Sequence, residues 1–198
     1  MDSITYSLLT EKNFNENSLD DFLRHQEVKE RWRKNSNNEY VLMPEDHVYS
    51  WDLNQRRDVA HKILKTITGK GFAYGAFLEG KVIGYILISN ELSGSNHQYT
   101  DLLLFHISEP YRGRGIGKAL FKLACETARN NGAKKYYISA NSSKESQAAY
   151  RKLGCVEAIE INEEQVRREP EDVQMEYTLK TEIRENRMIR IYENAEPL

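Results

Sequence analysis

Apolar and polar positions change their spacing several times along this chain, and each change predicts a new element. Residues 3–9 alternate weakly and read as a first strand, followed by a turn at Thr10-Glu-Lys-Asn-Phe-Asn. Ser18-Leu-Asp-Asp has the chemistry of a helix cap, and Leu19, Phe22 and Leu23 share one helical face, so a helix is expected from there toward Trp32. Residues 34–39, rich in asparagine, read as a loop, and 40–43 as a short strand before Pro44. Helical spacing resumes over 52–68 through Val59, Ile63, Leu64 and Ile67 and stops at Gly69. Residues 72–78 and 82–89 alternate as strands about a Glu79-Gly80 turn, a hairpin signal, and 90–99 is polar and loop-like.

The run Leu102-Leu-Leu-Phe within 100–107 predicts a strand buried on both faces, at the centre of a sheet. Leu120, Leu123, Ala124 and Ala128 mark a helix ending near Asn131-Gly132. A strand at 136–140, a short helix at 143–152 ending at Gly154, and a last strand at 173–179 follow. The order is mixed α+β with a strand–loop–helix unit in the middle. One domain is expected over 1–180, with a highly charged tail at 181–198, helical or frayed.

With 198 residues at 39% hydrophobic content, the chain is long enough for one substantial core. Its 28 Lys and Arg against 30 Asp and Glu leave a formal charge of −2, which offers no broad basic field to nucleic acid or an anionic membrane. Any anion site must therefore be local. Cys125 and Cys155 have no paired spacing and too few histidines nearby for a metal cluster, so they are expected as reduced thiols and no metal is expected. The N-terminus lacks a basic start and an apolar core, and no stretch approaches the roughly 20 apolar residues of a membrane span, so a soluble, cytoplasmic protein is expected.

The local anion site is legible in "ISEPYRGRGIGKAL", residues 107–120, where a strand gives way to a helix through alternate glycines. Orphan amides and the dipole at a helix start favour phosphate, and glycine removes the Cβ atoms that would hold it away. Arg112, Arg114 and Lys118 supply charge, and an arginine can pair bidentately with phosphate. The pattern is not a Walker loop, because Arg112 stands where its first glycine would be and Ala119 follows Lys118. Nor is it the dinucleotide fingerprint, which meets Lys118 or Leu120 at its last glycine.

Arg112-Gly-Arg-Gly-Ile-Gly117 resembles the Q/R-x-x-G-x-G/A loop of the GNAT superfamily of N-acetyltransferases, and it lies between strand and helix as that loop does. The later stretch "SSKESQAAYRKLGC" is similar to the family's closing segment, so the likeness spans about residues 72–155. The resemblance implies the GNAT acyl-CoA acyltransferase fold: a central, mostly antiparallel sheet with splayed central strands flanked by helices. It implies acetyl-CoA as cofactor, with Arg112, Gly113, Arg114, Gly115, Ile116, Gly117 and Lys118 at the pyrophosphate and the strand ending at Ile107 beside the pantetheine arm. It implies transfer to an amine acceptor, a small molecule or a peptide, and leaves room for a homodimer; a non-catalytic CoA sensor is the contrasting reading.

An alkylammonium of pKa near 10.4 sits about three units above neutral pH, so freeing its lone pair costs about 4–5 kcal/mol and calls for a general base. By strand register the resemblance places Asp101 first for that role; Glu91, in the loop after the preceding strand, is the second candidate, and His106 in the central strand the third. Tyr150 stands where the family holds a tyrosine beside the sulfur, so it is expected as the acid for the leaving thiolate. Ser143 replaces the asparagine that many members turn to the cofactor and is expected to contact it. Cys155, in place of a common phenylalanine, reads as a buried thiol. Acceptor choice is expected to reside in residues 27–57, where "EDHVYSWD", residues 45–52, combines acids and aromatics suited to hold a cation.

Overall fold

A computed structural model describes residues 3–69 and 71–180. The charged tail at 181–198 lies outside the described residues. The elements run β1 (Thr5–Leu8), β2 (His25–Lys34), β3 (Tyr40–Ser50), α1 (Leu53–Thr68), β4 (Phe72–Leu78), β5 (Lys81–Ser93), β6 (Tyr99–Ile107), α2 (Ile116–Asn130), β7 (Lys135–Ala140), α3 (Lys144–Leu153), β8 (Val156–Glu157), α4 (Glu163–Arg168) and β9 (Val173–Thr178). Seven strands form one sheet in the order β1-β4-β5-β6-β7-β9-β8, and β2 and β3 form a separate hairpin. Among the described strands only β6 and β7 run parallel, as a strand–helix–strand crossover through α2 requires. No described helix is long and apolar enough to cross a membrane.

The periodic segments fold as their spacing predicts. Asp52 caps α1 with its side chain on the amide of Gln55, and the Gln55 side chain returns to the Asp52 amide. Gly154 ends α3 in the left-handed conformation. The sheet is covered on both faces. Ile116, Leu120, Phe121 and Ala124 of α2 pack with Ile86 and Ile88 on one side, whereas Ala60 and Ile63 of α1 pack with Leu9, Phe14, Leu19, Phe22 and Tyr85 on the other.

The segment after Ser18 departs from expectation. Leu19 and Phe22 are buried, but in turns that cap the sheet, and the chain then enters β2 where a helix toward Trp32 was expected. Spacing of three residues is common to a helix and to successive turns; pairing with β3 decides between them, and that pairing is not local. β3 likewise runs through Pro44 to Ser50, because β3 is the edge of a two-stranded sheet and an edge position tolerates the missing N–H. β5 extends to Ser93, into the stretch expected as loop, and β8 and α4 are short elements that the spacing did not mark.

Two irregularities open the sheet. Leu87 pairs with Leu104 and Ile88 with Leu102, so Leu103 bulges out of the β5–β6 ladder. The β6–β7 ladder extends only from Tyr99/Lys135 to Asp101/Tyr137, and beyond it the two strands separate. At the C-terminal ends of these strands, Gly84 of β5 lets α2 approach: a Cβ there would stand 2.7 Å from Ile107 Cδ1 and 3.3 Å from Ile116 and Leu120. Gly84→Ala is therefore expected to destabilise by about 1–3 kcal/mol, read as a lower denaturation midpoint at constant m; an unchanged midpoint would show that this approach is not tight.

Candidate active site

The cleft between β6 and β7 is bridged by the β2–β3 hairpin. On the β6 side, the Leu23 amide donates to Ser108 Oγ at 3.0 Å, the Glu109 amide donates to the Leu23 carbonyl at 3.0 Å, and Arg112 Nη1 donates to the His25 carbonyl at 2.7 Å. On the β7 side, the Trp32 amide donates to the Ser142 carbonyl at 2.8 Å, Arg33 Nη1 to Ser142 Oγ at 2.8 Å, and Gln26 Nε2 to Ser143 Oγ at 3.0 Å. Asn141 Nδ2 and Arg31 Nη2 both donate to the Tyr49 hydroxyl, at 3.2 and 2.9 Å. One hairpin thus holds both legs of the opening.

At the end of β6, a short 3-10 turn at Glu109–Tyr111 leads into the glycine loop. Gly113 and Gly115 have φ of 76° and 82°, a region costly for other residues, and a Cβ on either would meet nothing within 4 Å. The space above them is open, and the first amides of α2 point into it. Gly117 faces inward, 3.3 Å from the Phe105 ring for a notional Cβ. Arg114 lies over the Tyr111 ring at 5.4 Å, and neither Arg114 nor Lys118 has a carboxylate partner among the described residues. Arg112 instead braces the loop, donating from Nε to the Ile107 carbonyl at 3.1 Å as well as to His25. These residues suit a diphosphate, with open space, outward amides and uncompensated cations.

Tyr150 projects from α3 to within 6.4 Å of the Phe105 ring, so it lies at the separation of the strands. Burial, with Cys155 and Asp172 nearby, pushes its hydroxyl well above the ordinary tyrosine range, and it keeps its proton. Asp101 occupies the last position of β6 that pairs with β7, where Ser93 Oγ and Gln165 Nε2 donate to its carboxylate at 3.3 and 3.4 Å. Burial raises its pKa, opposed by those hydrogen bonds. Glu91 is exposed on the irregular end of β5, and His106 faces Tyr85 and Trp51 on the sheet face opposite α2. The loop, Ile107 and Tyr150 come together around the opening, Asp101 stands at its apex, and Glu91 stands apart.

Ser143 makes its visible contacts within the fold. It is buried, caps α3 through the Ser146 amide, and accepts from Gln26, so its hydroxyl is committed to the fold. The acids and aromatics of residues 45–52 also turn to the chain's own cations: Asp46 pairs with Lys29 at 2.7 Å, Glu45 lies 3.8 Å from Arg31, and Tyr49 and Trp51 flank Arg24. Cys155 is a buried thiol pushed up to about 12 by burial, which leaves it unreactive. Among the described residues no group of His, Cys, Asp and Glu could hold a metal ion.

Sequence reasoning missed Asp172. It precedes β9 and accepts from Ser139 Oγ at 3.3 Å, on the separated part of β7 near Tyr150 and Arg31. Burial, reinforced by Glu169, pushes its carboxyl up to about 6. Its only sequence signal is an aspartate among other acids before the last strand.

A family model described as the acetyltransferase (GNAT) family matches residues 20–155. Nourseothricin acetyltransferase has a similar structure, with a TM-score of 0.65 at 16% identity over 89% of this chain and 99% of its own. A Bacillus anthracis protein assigned as a streptothricin acetyltransferase, solved with acetyl coenzyme A, gives 0.60 at 19% identity over 88% and 96%. The PaiA N-acetyltransferase of Thermoplasma acidophilum, solved with coenzyme A, gives 0.58 at 17% over 89% and 99%. At these identities the likeness shows the fold alone. No curated protein matches the sequence.

The raised carboxyl of Asp172 has a thermodynamic consequence. The native chain binds its proton between about pH 4 and 6 where the unfolded chain has lost it, so stability from this group is present below about pH 4 and lost as pH rises through 6. Asp172→Asn, which keeps an acceptor for Ser139, is expected to gain on the native protein across that window by about 1–2 kcal/mol. Thermal unfolding at stepped pH measures this; a difference that does not vary with pH rejects it.

Proposed function

The chain belongs to the GNAT acetyltransferase family, and from that premise we propose that it transfers the acetyl group of acetyl-CoA directly to the primary amine of a small molecule. The observation that carries the reading is the joining of an open glycine cradle at the start of α2 to a gap between β6 and β7 that begins after Asp101 and Tyr137. When bound, acetyl-CoA supplies a thioester carbonyl open to attack. Gly113 and Gly115 set the loop amides outward for the diphosphate, and Arg114 and Lys118 add the charge that the amides lack. β6 offers the pantetheine arm the backbone groups that no longer pair with β7.

Asp101 is the base in this reading. Its carboxyl, raised by burial, takes the proton from the amine through water more readily than an ordinary aspartate. Tyr150 holds the proton for the leaving thiolate; its burial keeps it protonated until that charge develops beside it. The hairpin across the opening favours a small acceptor over a peptide, because a groove for a peptide chain needs free ends and this one is bridged on both legs.

Free-thiol release from acetyl-CoA against a panel of amines tests the reading: amine-dependent release supports it, and none with any amine speaks for a CoA-binding module. Gly115→Glu places a carboxylate in the cradle at a positive φ and is expected to weaken acetyl-CoA binding at least a hundredfold by calorimetry, with the fold retained by circular dichroism. Wild-type affinity would refute the loop assignment. Tyr150→Phe is expected to lower kcat by about 10²–10⁴ with acetyl-CoA affinity nearly unchanged; a wild-type rate removes Tyr150 from the mechanism.

A further inference from the structure

The aromatics of β3 and the residue after it, which as sequence suggested a cage for an outside cation, enclose a cation of the chain itself. The Arg24 guanidinium lies 5.4 Å from the Tyr49 ring and 5.8 Å from the Trp51 ring. Its Nε and Nη1 are buried and have no hydrogen-bond partner, and no carboxylate pairs with it among the described residues. The contrast with Arg31 is direct. That arginine, equally on β2's side of the cleft, lies 3.8 Å from Glu45 and 3.6 Å from Glu171. The charge near Arg24 is instead a second arginine, Arg112.

A second unpartnered group converges on the same place. Tyr85 of β5 is 0% exposed, and its hydroxyl has no hydrogen-bond partner. It pairs in register with His106, with ring centroids 5.7 Å apart, and Trp51 lies 5.0 Å from the same imidazole. Burial and the two arginines push His106 down to about 3, so the imidazole is neutral. The cluster therefore offers a guanidinium, a phenol and a neutral imidazole, with no acid among them. Buried donors left unpaired are costly, more so on a charged group, and a planar guanidinium flanked by aromatic rings matches a carboxylate edge.

The place of the cluster says which molecule brings the carboxylate. Phe105 and Ile107 of β6 face α2 and the glycine cradle, whereas His106, between them, faces the other side of the sheet. Arg24 is thus across the strand from the diphosphate cradle. It is nevertheless close to the transfer point along β6, because Tyr150 meets Phe105, the residue next to His106.

We propose that Arg24 and the Tyr85 hydroxyl bind a carboxylate carried by the amine acceptor, so that the acceptor is an amino acid or a similar compound with its acid close to the reacting amine. The proposal rests on the transferase reading above. The same cluster disfavours polycationic acceptors, which would bring an amine against two arginines.

The test compares matched acceptors: a panel of amino acids, their carboxamides, and the amines that lack the acid group. CoA release is expected to show kcat/KM at least about a hundredfold higher for the acid than for its carboxamide. Arg24→Gln is expected to remove that preference, lowering kcat/KM on the acid about a hundredfold and on the carboxamide less than threefold, with acetyl-CoA affinity unchanged by calorimetry. Tyr85→Phe, which keeps the ring and its packing, is expected to reduce the preference several-fold. Binding is read separately from turnover by Trp51 fluorescence in a Trp32→Phe background, titrated with the same acids and carboxamides. Release from amines without any preference for the acid overturns the proposal and leaves the transferase reading standing. An acid-selective Trp51 signal without release from any amine supports the carboxylate site and counts against the transferase reading. Equal losses on acid and carboxamide in Arg24→Gln, or weakened acetyl-CoA binding, would assign Arg24 to the fold or the cofactor and overturn the proposal.

Discussion

The interaction on which the rest of the structure depends is the β6–β7 ladder, and above all the point at which it stops. Strands that pair only from Tyr99 to Asp101 and then diverge leave backbone groups in the middle of a sheet without their usual partners. Most of what surrounds the opening answers that deficit. The bulge at Leu103 turns β6 away while its ladder with β5 continues, and the 3-10 turn after Ser108 ends the strand without a further pairing. From the far side, β2 supplies the Trp32 amide to Ser142, and the segment leading into it supplies the Leu23 carbonyl to Glu109.

Charge is arranged around the same opening in two ways. Toward the hairpin's outer part, cations meet acids of the chain: Lys29 with Asp46, Lys144 with Glu30, and Arg33 with Glu171. Around β6 they do not: among the described residues Arg24, Arg114 and Lys118 have no acid paired with them, and Arg112 is held by carbonyls. A chain whose formal charge is −2 thus concentrates uncompensated positive charge at one place. The local character of the site follows from this, since a field so confined attracts small anions without making the surface basic.

How much of this was legible in the sequence depends on distance along the chain. The cap at Asp52, the stop at Gly154 and the loop from Arg112 to Lys118 are contiguous chemistry, and they were readable because their physics is complete within a few residues. β2 was not, because Leu19 and Phe22 keep helix-like spacing in turns and only the partner strand reveals the extended chain. The contact between Ser143 and Gln26 was not legible because Gln26 comes from a remote segment, and Asp172 and Arg24 carry no motif at all. Their surroundings are made by topology, which sets Arg24 beside Tyr85 of β5 and Arg112 after β6, both far from it along the chain.

The hairpin that bridges the two legs gives the opening a mechanical character. A cleft between two free strands would widen or close with each thermal fluctuation of the sheet; this one has a strut across it, pinned at Ser108 and Glu109 on one leg and at Ser142 and Ser143 on the other. The distance between the legs is therefore fixed by the length and twist of β2, an element that belongs to neither. Changes in that hairpin act on the whole aperture at once, and the two faces of the cleft cannot be retuned independently of each other.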